Sequence, residues 1–190
     1  YGQLKFDTYD RANFATSGVQ LKGDLTMLTY YESYLGQMPF NPQFMATGRY
    51  NQMIPVNERL KLEPSAYLAL SHGDTIPSPY MAYFGGHAEY YTKRVKPFIG
   101  LGYMQVNARH AFALGLDVRY RLFEKHYLSL IINSGVVTNT LENLSQTASI
   151  LHGIGLGYSI DTFIGPVEFT LGISDYAPHL ETYFNIGYWF

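Results

Sequence analysis

The sequence predicts an all-β fold, an antiparallel transmembrane β-barrel, with about eight to ten strands in this chain or with the chain as the C-terminal part of a barrel of about sixteen. Three observations predict it. Apolar and polar residues alternate with a period of two over segments of about ten residues, the length that crosses a bilayer at a tilt. The connections between these segments alternate between short and long. The last segment ends on alternating aromatic residues with no polar tail.

The segments follow in order. Residues 1–8 form a first candidate strand. Val19, Leu21, Leu25 and Met27 then alternate with Gln20, Lys22, Asp24 and Thr26. A strand at 44–54 precedes Leu60, Leu62, Ala66, Leu68 and Leu70, which alternate with Arg59, Lys61, Glu63, Ser65 and Tyr67. Phe112, Leu114, Leu116, Val118, Tyr120 and Leu122 share one face, and Ala113, Gly115, Asp117, Arg119 and Arg121 the other. A strand at 127–137 is followed by Ile154, Leu156, Tyr158 and Ile160, set between Gly153, Gly155, Gly157 and Ser159. Val167, Phe169, Leu171 and Ile173 alternate with Glu168, Thr170, Gly172 and Ser174, and 181–190 closes the series. A further strand within 78–92 is an open alternative. A soluble β-sandwich also alternates. Strand length, a polar face holding both small residues and charges, and the loop rhythm favour the membrane barrel.

The composition excludes several classes. Hydrophobic residues make up 47% of the 190, yet mean hydropathy is -0.09, and no apolar run of about eighteen residues offers a transmembrane helix. Zero cysteines exclude disulfides and thiolate metal sites. A net charge of -2 gives no electrostatic reason to expect nucleic acid. The chain begins at Tyr1 and shows no signal peptide, so it reads as a mature form or a fragment. One domain spans 1–190, with 1–17 either an added strand or a non-wall segment, and 72–110 a long loop.

With Phe190 on the periplasmic side, the connections 9–17, 55–58, 123–126 and 161–165 are all periplasmic. Those at 32–43, 72–110, 138–150 and 175–180 are then extracellular, the expected short-turn, long-loop asymmetry. Tyr30, Tyr31, Tyr34, Tyr80, Tyr83, Phe84, Tyr90, Tyr91, Phe123, Tyr127, Phe163, Tyr176 and Tyr183 lie near strand ends or in loops, where an interfacial aromatic girdle would sit. Lys5, Asp7, Lys22, Asp24, Arg49, Lys61, Glu63, Asp117, Arg119, Arg121 and Glu168 fall on the polar face, toward a lumen. An Arg or Lys facing lipid at the midplane would cost about 2–4 kcal/mol. These charges would form a paired network or line a conduit. The six histidines show no metal-ligand spacing on one strand face, and no cofactor is implied. Ser71, His72 and Asp74 are neighbours in sequence, but alternate residues of a strand point apart, which is wrong for a triad. No Gly-x-Ser-x-Gly occurs, so no catalytic residue is assigned.

Several stretches resemble the C-terminal barrel of the Omp85 (surface antigen) superfamily, closest to the branch fused to patatin-like phospholipases. They are Asp10–Lys22 (DRANFATSGVQLK), Tyr83–Tyr103 with Phe84-Gly85-Gly86 and Pro97-Phe98-Ile99-Gly100-Leu101-Gly102-Tyr103, Asp161–Gly172 with Ile164-Gly165-Pro166-Val167, and the ending. The resemblance implies a loop folded into the lumen, carried by Gly85, Gly86, Phe98, Gly100 and Gly102. It also implies a C-terminal β-signal in Tyr183, Ile186, Tyr188 and Phe190, read by the outer-membrane assembly machinery. Leu101-Gly102-Tyr103 stands where that superfamily usually has Arg-Gly-Phe or Arg-Gly-Tyr, and the usual small residue of the ending is Asn185 here. The implied role is membrane anchor or translocation domain in the bacterial outer membrane, in contact with lipid and with an upstream or partner component. The alternatives are a small structural or accessory barrel, and a lipid hydrolase. Patatin-like lipase chemistry would belong to another domain.

Overall fold

The computed structural model describes residues 1–29, 42–74, 76–87, 93–142 and 148–187. Among the described residues nine strands form one antiparallel sheet, the wall, in which every strand pairs with the wall strands next to it in chain order. They are β1 (Gly2–Asp7), β2 (Gly18–Leu28), β3 (Gln43–Pro55), β4 (Leu60–His72), β8 (His110–Phe123), β9 (His126–Thr138), β10 (Ser149–Thr162), β11 (Gly165–Ser174) and β12 (Glu181–Ile186). Between β4 and β8 an insertion forms a second, three-stranded sheet from β5 (Ala82–Phe84), β6 (Val95–Lys96) and β7 (Val106–Ala108), with β6 parallel to β5. The candidate strand within 78–92 is thus β5 of this small sheet and not part of the wall. β1 and β12 are the two edges and do not pair with each other, so among the described residues the sheet is open.

The period-two pattern explains the two faces. Pairing of Leu62 with Val118, Leu116 with Ile132 and Ile154 with Ile132 stacks the apolar sets of neighbouring strands on one side. That outer side is solvent-accessible: Leu156 is 57% exposed, Leu114 50% and Phe184 65%. β8 and β10 reach 14 residues each, far beyond the five or six of an average strand.

The other, inner face is covered by the insertion. Phe84, Phe98 and Leu101 are fully buried, together with Tyr67, Ala69, Ala113 and Leu151 of the wall. Glycines make room for this packing. A Cβ on Gly135 would lie 2.6 Å from the Phe84 ring, and one on Gly172 would lie 2.5 Å from Ile99. Tyr83 and Phe84, expected in an interfacial girdle, are instead buried in the insertion at 7% and 0% exposure, because its small sheet turns them into the core. Phe163, at 96%, and Phe123, at 69%, do stand exposed at strand ends. Tyr30, Tyr31, Tyr34, Tyr90 and Tyr91 lie outside the described residues.

Candidate functional site

The inner face and what fills it form the candidate site. The loop glycines act through the backbone. Gly85 and Gly100 have φ of +131° and +77°, and a Cβ on Gly100 would run into the backbone of Ile173 and Ser174 in β11. Gly86 donates its N–H to the Leu101 carbonyl at 2.9 Å and accepts from Phe98 N–H at 3.1 Å, closing the loop on itself. Gly102 is different: its nearest neighbour for a Cβ is Gln105 at 3.5 Å, ordinary contact. The Phe98 ring stacks on Phe84 with centroids 5.3 Å apart. Ile99 N–H donates to Asn133 Oδ1 of β9 at 2.9 Å.

Two arginines lock the insertion to the wall in opposite directions. Arg49, on β3, donates to the carbonyls of Lys93 and Val95, both at 2.8 Å. Arg94, on the insertion and only 8% exposed, donates to Ser71 Oγ at 2.7 Å and to the carbonyls of Leu70 (3.2 Å), Ala46 (3.3 Å) and Arg109 (3.3 Å). A guanidinium fits this cage because its donors are arranged in a fixed planar fork. Burial lowers the Arg94 pKa from its ordinary value. Lys93 adds an ion pair to Asp24 at 2.8 Å. Sequence reasoning placed Arg49 on the polar face but missed both clamps. Apart from Ser71 Oγ their acceptors are carbonyl oxygens, which leave no mark in side-chain spacing.

The polar-face charges gather below the insertion. Arg119 Nη2 lies 3.4 Å from Glu63 Oε2 and 3.5 Å from Asp117 Oδ2. Glu168 Oε2 accepts from Asn185 Nδ2 at 3.2 Å. Lys61 Nζ donates to the Asn57 carbonyl at 2.9 Å, in the turn before β4. Arg121 reaches the turn end of the sheet, beside Arg59 and Tyr127. A polar pocket of about 210 Å³ remains between wall and insertion, bordered by Glu63, Asp117, Lys96 and His87.

The segment joining β1 to β2 folds back onto this face, which its place among the short turns did not suggest. Tyr9 OH donates to Glu63 Oε1 at 3.0 Å, and burial beside that carboxylate pushes the Tyr9 pKa up. Phe14, at φ +48°, stacks on Tyr127 with centroids 4.4 Å apart, and the Arg119 guanidinium lies 5.7 Å from its ring centre. Asp10 accepts from Thr16 N–H at 2.7 Å and from Thr16 Oγ1 at 2.6 Å, which holds its carboxyl down at about 2.

In the last strand, Tyr183 points inward. Its hydroxyl donates to the Leu101 carbonyl, and its ring stacks on His87 with centroids 5.6 Å apart. Ile186 lies on the outer face, 57% exposed. Tyr188 and Phe190 lie outside the described residues. Ser71 is buried on the inner face while His72 is exposed on the outer, and Ser71 Oγ donates to the Arg109 carbonyl at 2.9 Å. These neighbours therefore do not converge. Among the described residues no group of His, Asp and Glu could hold a metal ion.

No curated relative matches the chain. The family profile of the OMP85 superfamily matches residues 1–190. With its long antiparallel strands, exposed apolar outer face and filled inner face, the chain belongs to the Omp85 superfamily of the bacterial outer membrane.

Proposed function

We propose that the chain is wall of an outer-membrane β-barrel that serves as a membrane anchor or translocation domain. The carrying observation is the outer face: Leu114, Ile132, Ile154, Leu156, Phe169 and Ile173, from four consecutive strands, are all 40% or more exposed. Such a band suits contact with hydrocarbon, where all backbone groups must pair and the sheet must close. A nine-stranded meander runs its first and last strands in the same direction, so an all-antiparallel ring takes an odd number of additional strands, from the same polypeptide or another. A barrel of sixteen meets that condition. Superfamily membership supports a role in transport or assembly rather than catalysis. The packed inner face favours an anchor over an open pore.

The Asp161–Gly172 stretch, with Gly165-Pro166 opening β11, favours the branch fused to patatin-like phospholipases. In this reading the barrel holds a lipase domain at the membrane, and the chemistry lies outside these residues. The C-terminal strand is then the signal read by the assembly machinery.

The test is electrophoretic. Full-length protein extracted from outer membranes should migrate differently before and after boiling, as closed barrels do. Unchanged migration, in a protein that stays soluble without detergent, would refute the reading.

A further inference from the structure

The turn end of the inner face carries a basic pocket that the barrel-wall role does not use. It is a cavity of about 130 Å³ lined by Arg11, Arg59, Lys61, Arg119 and Arg121, with Glu58 as the only acid in the lining among the described residues. We infer that this pocket binds an oxyanion, a phosphate group, supplied by a soluble phosphate or by a phospholipid headgroup.

The fold assembles the cluster from three places. Arg59 sits in the turn before β4, and its carbonyl accepts from Arg121 N–H of β8 at 2.8 Å, which ties the two residues together. Lys61 and Arg119 are direct cross-strand partners. Arg11 arrives on the segment between β1 and β2, which the Phe14–Tyr127 stack pins at this end of the face. Like charges are thus held together by backbone pairing and ring packing, in a chain whose net charge is -2. That arrangement is unfavourable without a counter-charge.

Arg119 has its carboxylates, but for Arg11, Arg59 and Arg121 no counter-charge is paired among the described residues, since Glu58 makes no ion pair with them. Among the described residues, the side chains of Arg11, Arg59 and Arg121 make no hydrogen bond or ion pair, and all three residues are exposed. Asp10, beside Arg11 in sequence, is taken by Thr16 and Ser17. Glu63 and Asp117 are taken by Arg119. Three free guanidinium forks around a small cavity match the planar, multidentate geometry with which arginine recognises phosphate. The cavity admits a single such group, not a length of chain.

The experiment is titration calorimetry of the full-length protein in detergent at constant ionic strength. One arm uses inorganic phosphate; the other uses short-chain phosphatidylglycerol, with phosphatidylcholine of the same chain length as the comparator. Binding in the first arm identifies a soluble phosphate as sufficient, and binding in the second alone identifies the headgroup. In either case Arg59→Gln with Arg121→Gln should weaken it about tenfold or more. Both residues are exposed, so their replacement leaves the fold intact. Lys5→Gln, on the edge strand, should change nothing. No binding in either arm, or equal binding by wild type and the double variant, overturns the proposal. Because the readout is independent of barrel closure, its failure is distinct from failure of the membrane role.

Discussion

Glu63 and Asp117 face each other directly across β4 and β8, and Arg119, two residues beyond Asp117, reaches both carboxylates. Directly opposed like charges destabilise a sheet. The same register also opposes Lys61 to Arg119. By reaching diagonally to Glu63, Arg119 relieves both repulsions at once. Among the described residues Asp117 Oδ1 remains buried without a hydrogen-bond partner, so Asp117 depends on this one guanidinium, while Glu63 also accepts from Tyr9. Arg119→Met should therefore lower stability by about 3 kcal/mol, as when one member of a buried pair is removed. Arg119→Lys should recover only part, since an ammonium lacks the fork. The urea midpoint of protein refolded into lipid vesicles is the measurement; a midpoint equal to wild type for the Met variant would refute the assignment.

Tyr67 makes the opposite prediction. Among the described residues its hydroxyl is buried without a partner, in a residue 1% exposed. Its ring packs edge-on against Phe84 at 6.2 Å and lies under Arg49 at 5.5 Å. Tyr67→Phe keeps the ring and removes the unsatisfied oxygen. Stability should rise by about 1 kcal/mol, read in the same urea titration. A fall would mean that the hydroxyl has a partner.

Gly100 should be the position at which the insertion is most easily dislodged. Its φ of +77° strains any other residue, and an added Cβ meets the β11 backbone, which cannot move aside. Gly102→Ala, by contrast, meets nothing closer than 3.5 Å. Limited trypsin digestion should cut at Lys93 or Arg94 in Gly100→Ala far faster than in wild type, and at the wild-type rate in Gly102→Ala. Equal resistance of both variants would show that the tip does not hold the insertion.

The nine wall strands and their inner and outer faces were legible in the sequence because a period of two survives in every long segment. Val167, Phe169, Leu171 and Ile173 needed no tertiary information to be read as one face. The insertion was legible only as length and glycine content. Its small sheet pairs residues too few for a period to show: β6 is Val95–Lys96 alone. Nor could alternation reveal the Arg94 cage, built from carbonyls of β3, β4 and the bend before β8, or the return of Phe14 onto Tyr127. The aromatic girdle failed at Tyr83 and Phe84 for a related reason, since a loop that folds back into the sheet makes its own core.

His87 gives the insertion a pH dependence. Burial under the Tyr183 ring holds its pKa below the ordinary value of 6.5, against the opposing pull of Glu168 and Asp117. The packed state therefore keeps His87 neutral where the free state would begin to protonate. By linkage, the packed state's advantage is full above the free-state value. It declines as pH falls below about 6.5, until the packed form protonates as well. Trypsin cleavage at Arg94 should accelerate between neutral pH and mildly acid conditions, after correction for the enzyme's own profile. His87→Gln, which keeps a polar side chain but does not titrate, should flatten that response. A wild-type cleavage rate that is independent of pH, or one that His87→Gln leaves unchanged, would place the sensitivity elsewhere.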